Sequence, residues 1–329
     1  MSRVKAQFQT PEGLEPRFHP PEALTLDTFQ NKRGMKIRYG LCLPENPSSI
    51  IVILQGLSEF GEKFAEFMHD QLKMNRGTVF LDWAYQGGSE RLESNPQKRH
   101  CDSFEDDVDD VHQLVDEIVL PALKKQGKPD LPLILYGHST GAAIATMVLK
   151  ENKIPFKCAI LSAPLYKIRF PQYTDSFIRP LVRLNASIRP DNYVYFGGDW
   201  TGENRPENVE DDTLSKDPDR HILQREWFLA NPDLQVGHVT WKWLHEALKV
   251  TTDITRASYL REIKTPVFLA TAGNDWLVNS DFAQNISQYF TDCVRRHYDE
   301  SYHEILMERD PIRQDFLDNM DSLIDRCLT

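Results

Sequence analysis

The stretch at 131–149 constrains the fold of this chain more than any other. Leu133-Ile134-Leu135-Tyr136 is an apolar run of the length and bulk that a strand buried on both faces needs. Gly137-His138-Ser139-Thr140-Gly141 follows at once, then a small-residue helical segment beginning Ala142-Ala143-Ile144-Ala145. A Gly-x-Ser-x-Gly turn between strand and helix holds its serine out above the sheet, and the glycines let neighbouring chains pass closely. The helix N-terminus then points at whatever is bound to the serine and favours negative charge there. A Gly-Ser turn that merely caps a helix needs nothing more. A nucleophile needs an acid and a histidine downstream, in that order.

The flanking chain supplies a sheet. Residues 35–43 alternate like a half-buried edge strand, and 50–54, 78–83, 158–164, 266–272 and 293–298 read as further strands. Phe64, Phe67, Met68 and Leu72 share one helix face; so do Phe104, Val108, Val111 and Val115, capped by Ser103 with Glu105, Asp106 and Asp107 in the first turn. Pro121 is expected to end or kink that second helix. Asp310-Pro311 opens a final helix with Ile312, Phe316, Met320, Leu323 and Ile324 on its face. Strand alternating with helix implies an α/β protein with a parallel sheet covered on both sides. The pattern breaks over 165–252, which holds six prolines and four of the six tryptophans. The expected organisation is therefore a Pro-rich arm at 1–24, a core at 25–164 and 253–329, and an inserted cap at 165–252.

The net charge of −11, with no basic run, excludes nucleic acid as a partner and argues against an anchor that depends on anionic lipid. No stretch approaches the roughly 18 apolar residues of a membrane span, and residues 1–10 carry no apolar signal segment. Cys42, Cys101, Cys158, Cys293 and Cys327 are scattered, which suits reduced thiols and a cytoplasmic location, with contact at the inner membrane surface left open. With no His-Glu-x-x-His, no Cys/His cluster at ligand spacing and no nucleotide-binding loop, neither metal nor cofactor is expected.

A serine hydroxyl needs a base within hydrogen-bond reach and a third group to orient that base. Asp275 directly follows the strand at 267–272, and His303 follows the strand at 293–298. Both therefore fall at the carboxyl edge of the sheet with Ser139, the rim where open α/β sheets place their sites. His297 lies inside a strand and is the weaker candidate base; His138, pointing away on a tight turn, is expected to pack. The oxyanion donors are expected to be the backbone N–H of Thr140, just after the nucleophile, and that of Leu57, in the loop after the 50–54 strand.

On these residues the chain resembles the α/β-hydrolase superfamily. Within it, the chain is similar to the monoacylglycerol lipase and bacterial lysophospholipase group, also classed with serine aminopeptidase-like hydrolases. The match runs over about 25–328. The group's His-Gly-x-x-Glu stretch stands here as Gln55-Gly56-Leu57-Ser58-Glu59, and its Asp-Trp-Arg-Gly-x-Gly-x-Ser loop as Asp82-Trp83-Ala84-Tyr85-Gln86-Gly87-Gly88-Ser89. Its Gly-x-Asp-x-x-Val stretch stands as 273–278 and its His-Glu stretch as 303–308. Gln55 in place of the histidine and Ala84-Tyr85 in place of Arg-Gly depart from the pattern. The resemblance implies a mostly parallel eight-stranded sheet flanked by helices, with a helical cap. It also implies a serine ester hydrolase for a single-chain acyl lipid, acting through Ser139, His303 and Asp275. Phe170, Tyr173, Phe177, Trp227, Trp241 and Trp243 are expected to line an acyl pocket, since aromatic rings carry large apolar area. A short-chain ester, lactone or peptide amide would use the same triad, and a non-catalytic member would keep the fold as a binding module.

Overall fold

A computed structural model of the chain describes residues 7–170, 175–202 and 205–329. Eight strands form one sheet: β1 (Leu24–Gln30), β2 (Lys36–Cys42), β3 (Ile50–Leu54), β4 (Gly77–Leu81), β5 (Leu133–His138), β6 (Phe156–Ser162), β7 (Val267–Ala272) and β8 (Cys293–Tyr298). Their order is β1-β2-β4-β3-β5-β6-β7-β8. β1 and β2 run antiparallel to their neighbours, and every pairing from β4 onward is parallel. β3, β4 and β5 are buried along their whole length because helices cover both faces, which is why their sequences show no alternation.

The helices are α1 (Ala65–Lys73), α2 (Phe104–Gln113), α3 (Leu120–Lys125), α4 (Thr140–Glu151), α5 (Asp175–Ile188), α6 (Leu223–Ala230), α7 (Trp241–Ile254), α8 (Ala257–Leu260), α9 (Ser280–Ile286) and α10 (Asp310–Leu328). Ser103 caps α2, its hydroxyl accepting from the Glu105 N–H. Pro121 neither ends nor breaks that helix. The segment Leu114–Val119 widens into π-helical turns and runs on into α3. Widening just ahead of the proline relieves the clash between its ring and the carbonyl one turn back.

Two parts of the chain differ from expectation. Residues 7–23 are docked rather than loose: Phe18 is buried, the Gln9 backbone exchanges two hydrogen bonds of 2.8 Å with the Asn231 amide, and the Arg38 guanidinium sits 4.9 Å from the Phe8 ring. Residues 24–30 form the edge strand β1, whose half-buried positions carried too weak a pattern to read. The inserted segment between β6 and β7 contains α5 to α8, and α7 crosses the expected boundary at 252. Trp243, Ala247, Val250 and Ile254 of α7 join the main core beside Phe104 and Ala142, while α5 packs Ile178 and Val182 against Trp241 and Leu248.

One buried ion cluster fixes the loops that frame the site. Arg38 on β2 is fully buried and donates to Asp82 Oδ2 at 2.7 Å and to Glu62 Oε2 at 3.1 Å. Asp82 in turn accepts from Gln55 Nε2 (3.0 Å), the Gly61 N–H (3.0 Å) and the Gly88 N–H (2.7 Å). Two opposed carboxylates and these extra donors make such a desolvated guanidinium tolerable, and together they tie the loop after β3 to the loop after β4.

Candidate active site

Ser139 sits between β5 and α4 with φ 53° and ψ −114°, a conformation that costs a side-chain-bearing residue about 1–3 kcal/mol. The surroundings hold it there. Its N–H donates to the Ser162 carbonyl at 3.0 Å, and its carbonyl accepts from Ala142, Ala143 and Leu165 at 3.0–3.2 Å. A Cβ on Gly141 would lie 2.0 Å from the Leu54 carbonyl oxygen, so only glycine lets α4 start against the end of β3.

Asp275 and His303 come from the loops after β7 and β8, which are pressed together. A Cβ on Gly273 would lie 2.2 Å from the Asp299 carbonyl, and the Gly273 and Asn274 N–H groups donate across to Tyr298 and Ser301 at 2.9 Å. Asp275 Oδ1 accepts from the Leu277 and Val278 N–H groups, both at 2.9 Å. Its Oδ2 lies 2.6 Å from His303 Nδ1, and His303 Nε2 lies 2.9 Å from Ser139 Oγ. All three side chains are buried. Burial works to raise the Asp275 carboxyl, but His303 and the two backbone donors outweigh it and hold its pKa below the ordinary value. A carboxylate on Nδ1 places the ring proton there and leaves Nε2 to accept the serine proton. His297, by contrast, meets Thr271 Oγ1 at 2.9 Å on β8 and lies outside this chain of bonds.

Thr140 opens α4, where backbone N–H groups lack intrahelical partners, and Leu57 lines the cleft beside Ser139. Gln55, standing where the resembled group has histidine, is bonded to Asp82, and its carbonyl accepts from Trp83 Nε1 at 2.8 Å. Gln86 spans the same loop, donating to the Gly56 and Glu59 carbonyls at 3.0 and 2.8 Å. Below it, buried Arg91 and Arg99 donate to loop carbonyls, Arg99 Nη1 to that of Ala84 at 2.9 Å. The two departures from the group's pattern are thus filled by other contacts.

The cleft over Ser139 has a volume of about 410 Å³, and the inserted segment closes one side of it with Trp200, Leu214, Phe228 and Val239. Of the six aromatic residues singled out in the sequence, the five that are described do not line it. Trp227 packs 5.8 Å from Phe60, Trp241 stands 4.9 Å from Tyr195, and Trp243 meets Phe104 edge-on in the core. Phe170 borders a separate, smaller cleft with Lys167 and Arg179, Phe177 lies on the exposed face of α5, and Tyr173 falls outside the described residues. Trp227 and Trp243 seat the insertion on the sheet domain, and Trp241 packs within the insertion. Trp200 and Phe228 take the cleft instead.

A polar cluster beside Ser139 and His303 has no signature of its own in the sequence. Glu59 accepts from Lys63 Nζ (2.9 Å) and faces His138 Nδ1 (3.0 Å); Lys63 also reaches Glu304 Oε1 (2.7 Å), which Arg205 pairs as well. His138 is therefore part of the site's charge network, not a packing residue. Glu59 and Glu304 stand next to Leu57 and His303 in sequence, and that adjacency was the available signal; Arg205 had none. Among the described residues no group of three or more His, Cys, Asp or Glu side chains is placed to hold a metal ion.

Residues 45–310 match a family described as serine aminopeptidase, S33. The probable lysophospholipase L2 of Haemophilus influenzae is 24% identical over 299 residues, covering 90% of each chain. Lysophospholipase L2 of Escherichia coli K12 is 24% identical over 296 residues, covering 87% of this chain and 83% of its own. A solved structure of a soluble variant of monoglyceride lipase from Saccharomyces cerevisiae, in complex with a substrate analog, aligns with a TM-score of 0.71 at 17% identity, over 100% of this chain and 99% of that one. That likeness shows the same fold.

Proposed function

The chain belongs to the serine aminopeptidase, S33, family of α/β-hydrolases, and from that premise we propose that it hydrolyses the carboxylic ester of a single-chain acyl lipid, a lysophospholipid or a monoacylglycerol. The observation that carries the reading is the unbroken line of hydrogen bonds from Asp275 through His303 to Ser139 at the floor of the cleft. Ser139 Oγ bonds to the acyl carbon as its proton passes to His303 Nε2, and the carbonyl electrons move onto oxygen. The N–H groups of Leu57 and Thr140 hold that oxyanion, each donor contributing about 3–4 kcal/mol to lowering the barrier. Collapse breaks the ester bond, and the leaving alcohol takes the proton from Nε2. Water, deprotonated by His303, then releases the fatty acid and returns Ser139 to its starting state.

The triad accepts esters and amides alike, so the cleft walls must choose. Leu57, Leu214, Phe228, Val236, Val239 and Leu277 form an apolar lining, which favours an acyl chain over a peptide. The lysophospholipases among its relatives support the same choice. A panel of lysophosphatidylethanolamine, monooleoylglycerol, nitrophenyl butyrate and an aminoacyl nitroanilide tests it. We expect kcat/KM for one of the two lipids to exceed that for the butyrate by at least about tenfold, with the anilide inert. Faster turnover of the anilide overturns the reading in favour of a peptidase.

Such a substrate is collected from a lipid surface, and α5 is suited to meet one. Leu184 and Ile188 on α5, with Phe177 and the nearby Phe196, present large apolar side chains to solvent. Lys167, Arg169, Arg179, Arg183 and Arg189 stand against only Asp175 and Asp191 in residues 167–196, a local charge of +3 in a chain of −11. The whole-chain charge hides this local excess. Among the described residues no helix is long and apolar enough to cross a membrane; the contact proposed is docking of α5 on the surface. Sedimentation with vesicles is expected to recover more protein on phosphatidylcholine mixed with phosphatidylglycerol than on phosphatidylcholine alone. Leu184→Ser with Ile188→Ser should cut the bound fraction about fivefold, each lost side chain removing about 1.5–3 kcal/mol of burial at most, while butyrate turnover stays within about twofold. Equal binding by the variant refutes the role of α5.

A further inference from the structure

We propose that His138 is a positioning residue: held as an imidazolium between the Glu59 carboxylate and the His303 carbonyl, it sets the nucleophile loop in register with the loops that carry the oxyanion donor and the base. This inference rests on the ester-hydrolysing reading of the site.

The geometry asks for two ring protons. His138 Nδ1 lies 3.0 Å from Glu59 Oε2, and Nε2 lies 3.4 Å from the His303 carbonyl oxygen. A carboxylate and a carbonyl only accept, so both ring nitrogens are satisfied only when both donate. The ring is buried, as is Glu59. The charges that face it come from every side: Glu59 from the loop after β3, Lys63 from the turn before α1, and Glu304 from the loop after β8, itself paired with Arg205 of the insertion. Counting Asp275 behind His303, three carboxylates stand against Lys63, Arg205 and one further cation. A charged His138 balances the set, and a neutral one leaves a buried excess of negative charge. Burial alone would depress the ring's pKa; Glu59 outweighs it and holds the pKa above the ordinary value.

The connections run to all three working loops. Glu59 Oε2 also accepts the Gly56 N–H at 2.5 Å, and Gly56 precedes Leu57. His138 precedes Ser139. Its second nitrogen faces the backbone of His303, whose ring centroid is 5.0 Å from its own. One carboxylate and one imidazolium therefore link the residue before the oxyanion donor, the residue before the nucleophile and the base itself. A misplacement of about 1 Å among such groups costs of the order of a hundredfold in rate, so losing the link should appear in kcat rather than in KM.

The test uses the full-length protein. Ring-nitrogen NMR at pH 7, with signals assigned through bonds, should find His138 protonated on both nitrogens; a single protonated nitrogen overturns the proposal without any reference to activity. In kinetics with monooleoylglycerol or lysophosphatidylethanolamine, whichever is turned over, wild-type kcat should fall on the alkaline side as His138 loses its proton. His138→Asn keeps a donor toward Glu59 but neither the charge nor the reach to His303. It should lower kcat about 10–100-fold with KM within about threefold, and its profile should lack that alkaline inflection. A variant that keeps the inflection, or whose kcat stays within about threefold of wild type, overturns the proposal. A wild-type protein that turns over neither lipid counts against the proposed substrate class, while the NMR result still decides the state of His138.

Discussion

Ser139→Ala is expected to lower ester turnover by about 10⁴–10⁶-fold and to abolish covalent labelling by a fluorophosphonate. Ser139 Oγ is the hydroxyl held 2.9 Å from His303 Nε2, and among the described residues no other hydroxyl is bonded to that nitrogen. The substitution should leave the fold alone. Alanine bears the same Cβ and so the same strain at φ 53°, and every backbone bond that holds the elbow, from Ser162, Ala142, Ala143 and Leu165, survives the change. A melting temperature within a few degrees of wild type, beside lost turnover and lost labelling, is the expected pair of results. Residual catalysis of about 10³-fold over water from the oxyanion donors and binding is compatible with this. Labelling of the alanine variant at wild-type stoichiometry would place the nucleophile elsewhere.

Asp275→Asn should cost about 10⁴-fold in kcat, although it changes one heavy atom. The direction of the new amide is set by the backbone. The Leu277 and Val278 N–H groups both donate to Oδ1, so the amide oxygen stays with them and the NH₂ turns to His303. Nδ1 must then accept, the ring proton moves to Nε2, and Nε2 can no longer take the proton of Ser139. The same residue carries a pH signature. Its pKa is below the ordinary carboxylate value in the folded protein, so the stability it contributes is fully present above about pH 4, its unfolded pKa. That contribution is lost as pH falls through the folded value. Urea denaturation should therefore show the variant's deficit at pH 7 narrowing toward pH 3. A kcat within tenfold of wild type at pH 7 would remove Asp275 from the triad.

The strand-turn-helix at 133–149 was readable because its causes are local. An apolar run of strand length, two glycines at a crowded crossing and a helix of small residues are each properties of neighbours in the chain. Asp275 and His303 were readable for a related reason: in a parallel sheet every strand ends at the same rim, so a residue just past a strand is placed by topology alone. β1 was lost because a half-buried edge strand needs little apolar signal. The continuation of α2 past Pro121 was lost because a widened turn leaves no mark in composition.

The acyl-pocket aromatics show where local reading stops. Trp227, Trp241 and Trp243 are as apolar as Trp200 and Phe228, and nothing in their neighbours says which will face the cleft. The packing of the insertion on α4 and the sheet decides it.

What the chain's own order determined is the parallel sheet, the Gly-x-Ser-x-Gly turn and the rim on which Asp275 and His303 lie, because periodicity and backbone sterics act between residues a few positions apart. What tertiary structure alone decided is the wall of the cleft and the charge network of Glu59, Lys63, His138, Arg205 and Glu304. Lys63 and Glu304 are 241 positions apart and 2.7 Å from contact to contact. Burial and Coulomb energy depend on distance in space and on exclusion of water, and neither exists until the loops have met.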